Sequence, residues 1–374
     1  MKHSINPLGT LSERCVCLFG LGSLLEDCYD QVLLLLGRKP DFLCDNAPEK
    51  WGKVMHGLRC ISPEELRTFG SETAVIITVR NYEAIANQVA QMGIPDVFAL
   101  HYARAYNRIS AVCRVSEEHQ DQEPGIVPLK GKWTMITGAS RGLGRRIAVE
   151  MARLGSHVMV HARSLPHLDD VVADCAGLGV EIVPFAAELS DMRQVDTMLS
   201  RLESMAPRID ITFNNAAISP PCLQGFWNMQ SDDFLSSYLI NTMAPIRICQ
   251  HLIPSMIRHG FGRIICVTSS IQKRPGEMAY ACSKSALNKF VFDLAPSLDG
   301  TGVALSLVDP GWLKTDMGGY DAPLTVESAL PGVLLGAVLE NVSNGYWFDA
   351  QDYAGLSLDA AMKKTSLCLG KEHG

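Results

Sequence analysis

From residue 131 onward, six short apolar runs recur with a helix-length stretch between each pair: "KWTMITG", "HVMVHAR", "EIVPFAA", "DITFNNA", "GRIICVTSS" and "VALSLVDPG". Runs this short and this continuously apolar are strands buried on both faces, which requires helices on both sides of a parallel sheet. The pattern predicts a doubly wound α/β domain. A smaller version precedes it. There "RCVCLFG", "PDFLCDN" and "TAVIITV" alternate with the helix-like stretches "ISPEELRTFG" and "NYEAIANQVAQMGI". Between the two lies "RVSEEHQDQEPGIVPLKG", charged and broken by Pro and Gly, as a linker is. The expected organisation is two Rossmann-like parallel-sheet domains: a small one over 1–113, a linker over 114–130, and a larger one over 131–374.

Composition narrows the function classes. A chain of 374 residues has room for two domains, and 47% hydrophobic with 20% charged residues is ordinary for a globular protein. The net charge of −7, without any run of Lys and Arg, argues against a nucleic-acid surface. The 12 cysteines are scattered, with no C-x-x-C pair, so free thiols in a reducing cytoplasm are expected and no metal site is. No apolar run reaches the roughly 18 residues that would cross a membrane. "CVCLFGLGSLL" follows Arg14 as a signal-peptide core would, yet Glu26 and Asp27 come directly after it and no small-residue cleavage site appears. A buried strand entering a turn fits it better.

The strand-to-helix junction "TMITGASRGLGRRIA", residues 134–148, carries the first chemistry. Gly138, Gly142 and Gly144 stand where a backbone must approach a pyrophosphate at a helix N-terminus. Gly138, Ser140, Arg141, Gly142, Leu143 and Gly144 together form the candidate cradle. The next strand ends in Arg163, not in the Asp or Glu that would hold an adenosine ribose. Arg141 and Arg163 suit a 2′-phosphate, so the expected cofactor is NADP(H).

The spacing Gly-x-x-x-Gly-x-Gly, followed in order by "NNAA", "GRIICVTSS", "YACSK" and "DPGWLKTDM", resembles the non-extended branch of the short-chain dehydrogenase/reductase family over residues 130–355. The resemblance implies that Tyr280 is the general acid/base, and that Lys284, one helical turn on, lowers the phenol's pKa and holds the nicotinamide ribose. It implies that Ser269 binds the substrate carbonyl, with Ser270 the rival if the register slips by one. Asn241 would hold a water in the proton relay. Asn214 and Ala216 would lie beside the adenosine and Glu188 near the adenine. Pro310, Gly311 and Thr315 would wrap the carboxamide. Ala217 and Glu188 depart mildly from the family pattern, and the segment from Ser269 to Tyr280 is about two residues short and carries Lys273 and Arg274.

The first domain has a poorer glycine turn, "FGLGSLLED", with Leu25 at the third position and Glu26 and Asp27 after it. It resembles, over 12–102, the small Rossmann-like domains attached to enzymes of surface-polysaccharide and nucleotide-sugar biosynthesis. That resemblance implies a ribose held at Asp45 and Asn46; a domain that binds nothing small is the alternative. The expected activity is NADP(H)-dependent reduction of a ketone, or the reverse, and association with the first domain implies a nucleotide-linked or phosphorylated sugar or polyol as substrate. A general carbonyl or 3-oxoacyl thioester reductase is a second possibility, and a non-catalytic NADP(H)-sensing scaffold a third. The expected partners are a small carbonyl or alcohol and a second or fourth copy of the chain, with no nucleic acid and no membrane.

Overall fold

The computed structural model describes residues 8, 11, 13–79, 82–103, 108–115, 125–206, 208–220, 227, 229–271 and 277–369. The chain divides into two compact units, Met1–Pro124 with Lys363–Gly374, and Gly125–Met362.

The first unit is a seven-stranded sheet. Its elements run β1 (Cys15–Phe19), α1 (Ser23–Leu36), β2 (Phe42–Cys44), β3 (Val54–Met55), β4 (Leu58–Ile61), α2 (Pro63–Thr68), β5 (Thr73–Ile77), α3 (Glu83–Gln91), β6 (Asp96–Ala103) and β7 (Arg108–Val115). The strand order is β3-β4-β2-β1-β5-β6-β7. The ladders β4-β2-β1-β5-β6 are parallel, as the alternation predicts. Both edges are antiparallel: β3 on β4 and β7 on β6. The stretch "CVCLFGLGSLL" is indeed β1 running into a turn, and Val16, Cys17, Leu18 and Phe19 are fully buried. Arg14 and Arg114 both pair with the buried Asp96 at the start of β6.

The second unit runs β8 (Trp133–Ile136), α4 (Gly142–Arg153), β9 (His157–Ala162), α5 (Asp169–Cys175), β10 (Ile182–Ala186), α6 (Met192–Met205), β11 (Ile211–Asn214), α7 (Ser231–Tyr238), α8 (Ala244–His259), β12 (Gly262–Val267), α9 (Met278–Leu294), β13 (Val303–Asp309), α10 (Leu335–Val338), β14 (Tyr346–Asp349) and α11 (Leu358–Leu369). The strand order is β10-β9-β8-β11-β12-β13-β14, and every ladder is parallel. All six expected strands are present. Between β8 and β11 the order reverses direction, which is where an open α/β sheet offers its ligand crevice.

Two boundaries differ from expectation. Arg114 and Val115 belong to β7, because their backbone pairs with β6. Gly125–Lys130 is not linker: Ile126 bridges Leu339, the Val127 N–H donates to the Val338 carbonyl at 2.8 Å, and Leu129 is buried. Residues 116–124 lie outside the described residues. The division falls within α11: Leu358–Met362 group with the second unit and the residues from Lys363 with the first.

Close approach fixes the turn after β8. Gly138 has φ 66°, and a Cβ there would lie 2.9 Å from the Ala216 Cα. Gly144 has an ordinary helical backbone, but a Cβ would be driven into the Gly138 carbonyl and within 2.5 Å of Asn215 Nδ2. Gly144→Ala should therefore lower unfolding free energy by about 1–3 kcal/mol in urea denaturation. An unchanged midpoint would mean that α4 does not press on the turn.

Candidate active site

The glycine turn is built as an anion cradle would be. Arg141 is the extended N-cap of α4, the helix has no side-chain cap, and its first turn contains no acid. Its N-terminal N–H groups are thus left for a ligand. Asn215 latches the turn to the end of β11: its Nδ2 donates to the carbonyls of Thr137 at 2.9 Å and Gly138 at 3.1 Å. The Thr137 hydroxyl oxygen accepts from the N–H groups of Asn215 and Ala216, both at 3.0 Å. Asn214, one residue earlier, points the other way. Its amide is buried among the thiols of Cys249 and Cys266, and its Oδ1 has no hydrogen-bond partner. Ser140 and Gly142 are half-buried and Leu143 is buried.

The chemistry-bearing side chains gather where β12 and β13 end. The Ser269 hydroxyl hydrogen-bonds the half-buried Tyr280. Ser270 is held otherwise: its N–H donates to Asp309 Oδ2 at 2.8 Å. Asp309, 3% exposed, also accepts the Gly311 N–H at 2.9 Å, so one carboxylate ties the loop after β12 to the loop after β13. Lys284 is 2% exposed, and its ammonium donates to the Val267 carbonyl at 2.7 Å.

The protonation states differ from expectation. Burial pushes the Tyr280 phenol well above its ordinary range, the Asp309 carboxylate pushes it further, and the Ser269 hydrogen bond only partly offsets this. Lys284 does not outweigh these effects. Its Nζ rests on Val267, 5.8 Å from the Tyr280 ring centroid, and burial lowers Lys284 itself to about 8. At neutral pH the site holds a protonated phenol beside an ammonium.

Asn241 lies in a π-helical turn, Leu239–Met243, between α7 and α8. Its Oδ1 accepts the Ile218 N–H at 2.8 Å, and its Nδ2 donates to the Ile218 carbonyl and to Ser283 Oγ, each at 2.9 Å. Ser283 Oγ donates in turn to the Tyr280 carbonyl at 2.7 Å. The side chain is thus fully used in fixing the loop after β11 to the helix of Tyr280.

The remaining expected residues surround the crevice. Arg163 is exposed beyond β9 and has no ion-pair partner among the described residues. Arg141 pairs with Asp316 at 3.0 Å, and a Cβ on Gly142 would sit 3.2 Å from Thr315 Cγ2. The segment after β13 therefore closes against the turn. The Pro310 carbonyl accepts from Gln351 Nε2 at 2.8 Å. Gly311 has φ 81°. Glu188 accepts the N–H and hydroxyl of Ser190 at 3.0 and 2.9 Å. Lys273 and Arg274 lie outside the described residues.

In the first unit, the acceptor expected to hold a ribose is taken. The Asp45 carboxylate receives the Leu21 N–H at 2.7 Å, the Ala47 N–H at 2.9 Å and Lys50 Nζ at 2.9 Å. Asn46 pairs reciprocally with Gln88. Leu25 is fully buried, and Glu26 faces His56. The cysteines described are all free thiols, with Cys282 exposed and Cys15 half-buried. Among the described residues no helix is long and apolar enough to cross a membrane, and no group of His, Cys, Asp and Glu could hold a metal.

Comparison with known proteins agrees with this geometry. The family model for short chain dehydrogenases matches residues 132–323. The chain is 30% identical over 227 residues to a short chain dehydrogenase of Pseudocercospora fijiensis, covering 56% of this chain and 71% of that one. It is 32% identical over 205 residues to an NADPH-dependent aldehyde reductase-like protein, chloroplastic, of Arabidopsis thaliana, covering 51% and 76%. It is 29% identical over 210 residues to a 3-oxoacyl-(acyl-carrier-protein) reductase of Thermotoga maritima, covering 56% and 85%. Among solved structures, a 3-oxoacyl (acyl-carrier-protein) reductase of Agrobacterium tumefaciens with NADP bound has the same fold, with TM-score 0.54 and 24% identity over 59% of this chain and 92% of that one. The chain belongs to the short-chain dehydrogenase family.

The buried ammonium carries a measurable cost. Lys284 titrates at about 8 in the fold against 10.5 for the free side chain. Between those values the unfolded chain binds more protons, so stability rises with pH there, and below 8 the full penalty of about 3 kcal/mol remains. Lys284→Met removes it while forfeiting a hydrogen bond worth about 1 kcal/mol. We expect the variant to be about 2 kcal/mol more stable at pH 7. In urea titrations its advantage should shrink from pH 8 upward and reverse at about pH 10. Equal stability at pH 7 would contradict a buried charge.

Proposed function

We propose that the second unit is an NADP(H)-dependent oxidoreductase that reduces a carbonyl to an alcohol, or runs the reverse reaction. The observation that carries this is the convergence of Ser269, Tyr280 and Lys284 at the end of β12, in the same parallel sheet whose β8 leads into the uncapped start of α4. The cradle fits a pyrophosphate, since the start of α4 has no side-chain cap and no acid in its first turn, which leaves its N–H groups to an anion. Gly138, Ser140, Arg141, Gly142, Leu143 and Gly144 would hold the phosphates, and Arg141 and Arg163 the 2′-phosphate. Glu188, Asn214 and Ala216 would border the adenosine, Asn214 through its backbone. Tyr280, Lys284, Pro310, Gly311 and Thr315 would border the nicotinamide.

When bound, the cofactor supplies or accepts the hydride. The chain's own residues handle the proton. Tyr280, protonated at neutral pH, gives its phenolic proton to the carbonyl oxygen while Ser269 hydrogen-bonds that oxygen as charge develops on it. Lys284 keeps a positive charge below about pH 8 beside the phenolate that results. Asn241, through Ser283, holds the Tyr280 helix in place. A purely cofactor-sensing protein would not need this set.

The substrate reading best supported is a general carbonyl or 3-oxoacyl thioester, because the aldehyde and 3-oxoacyl reductases named above are relatives over this unit. A nucleotide-linked or phosphorylated sugar delivered by the first unit has less support, since Lys50 occupies Asp45. Pairing of copies into a dimer or tetramer through the helices that carry Asn241 and Tyr280 is part of the same proposal, supported on the Asn241 side by Leu235, Tyr238 and Met243, which are 58%, 38% and 39% exposed.

Two experiments test it. NADPH should bind more than tenfold tighter than NADH, given about 1.5–3 kcal/mol for each charge-assisted contact at Arg141 and Arg163; equal affinities in calorimetry would sink the 2′-phosphate assignment. Tyr280→Phe should keep NADPH affinity and lose nearly all turnover of a carbonyl panel, a drop of about 10²-fold or more. Near-normal turnover would remove Tyr280 from the chemistry.

A further inference from the structure

His161, the fifth residue of β9, is 2% exposed and belongs to none of the motifs above. Its ring joins three strand ends. Nδ1 accepts the Gly138 N–H at 3.2 Å, just beyond β8. Nε2 meets the Ala187 carbonyl at 3.0 Å, just beyond β10. A carbonyl can only accept, so Nε2 carries the proton and the neutral tautomer is fixed. Burial keeps the ring neutral, lowering it to about 4. The Phe185 ring packs beside it with centroids 5.3 Å apart. The backbone carbonyl of His161 also accepts the Ala139 N–H at 2.8 Å.

The first two N–H groups of the glycine turn therefore both end on this one residue. What it joins is the adenosine end of the proposed pocket: Gly138 itself, Arg163 two residues along β9, and Glu188 next to Ala187. We infer that His161 is a positioning residue for that end of the cofactor pocket. It sets the height of the glycine turn against the strand ends that carry Arg163 and Glu188. The inference rests on the NADP(H) reading above.

Two near-isosteric variants separate its two hydrogen bonds. In His161→Asn the amide oxygen can stand where Nδ1 does and still accept from Gly138, while the bond to Ala187 is lost. In His161→Gln the amide can reach Ala187, while the Gly138 N–H loses its acceptor. Measured by calorimetry on the full chain, His161→Gln should bind NADPH about tenfold more weakly, and His161→Asn within about threefold of wild type. In the cofactor-free chain, amide exchange at Gly138 should quicken in His161→Gln and much less in His161→Asn. Wild-type affinity and exchange in His161→Gln would overturn the inference. So would equal losses in both variants that track their melting temperatures, since that is plain packing. If wild type bound no dinucleotide, the NADP(H) reading would fall, and the exchange contrast at Gly138 would still decide whether His161 braces the turn.

Discussion

The contact on which the second unit depends is the one between Gly144 and Gly138. The first turn of α4 lies so close to the Gly138 carbonyl that a single methyl group cannot fit between them. That closeness holds the helix N-terminus against the turn that leaves β8. It also lets Asn215 reach across from β11 and cap the Thr137 and Gly138 carbonyls. The parallel sheet then brings the ends of β8 to β13 to one edge, so residues just beyond separate strand ends come to one side of the sheet.

At that edge the electrostatics favour a proton donor. Asp309 uses its carboxylate to hold the Ser270 and Gly311 N–H groups, and the same charge presses on Tyr280. Burial does the larger part. Lys284 is sunk in the same place and pays in its own pKa, while its ammonium is spent on the Val267 carbonyl. Burial keeps the phenol neutral in the resting chain, and the ammonium stays close by to favour the phenolate once the proton is given up.

Much of this was legible in the sequence, for physical reasons. Strands buried on both faces must be continuously apolar, so β8 to β13 announce themselves. The edge strands β3 and β7 and the short β14, "YWFD", face fewer neighbours and carry no such signature. Glycines needed for close approach are visible because nothing else fits. Side-chain direction is not: Asn214 and Asn215 are adjacent, yet one enters the core and the other latches the turn. His161 and Asp309 were missed for the same reason. Each did leave a trace, a lone polar residue within or ending an apolar run, "VMVHA" and "LSLVD". In the first unit Asp45 does stand at the end of its strand, but Lys50, which pairs with it from the helical turn Pro48–Lys50, left no sequence signal.

The central claim is that the strand-end cluster holds Tyr280 as a protonated acid ready to serve a carbonyl. Ultraviolet difference titration of wild type against Tyr280→Phe isolates that one phenol among the nine tyrosines of the chain. The account predicts that its phenolate signal appears only above the ordinary tyrosine range, beyond about pH 10. Ionisation near neutral pH in the cofactor-free chain would contradict it.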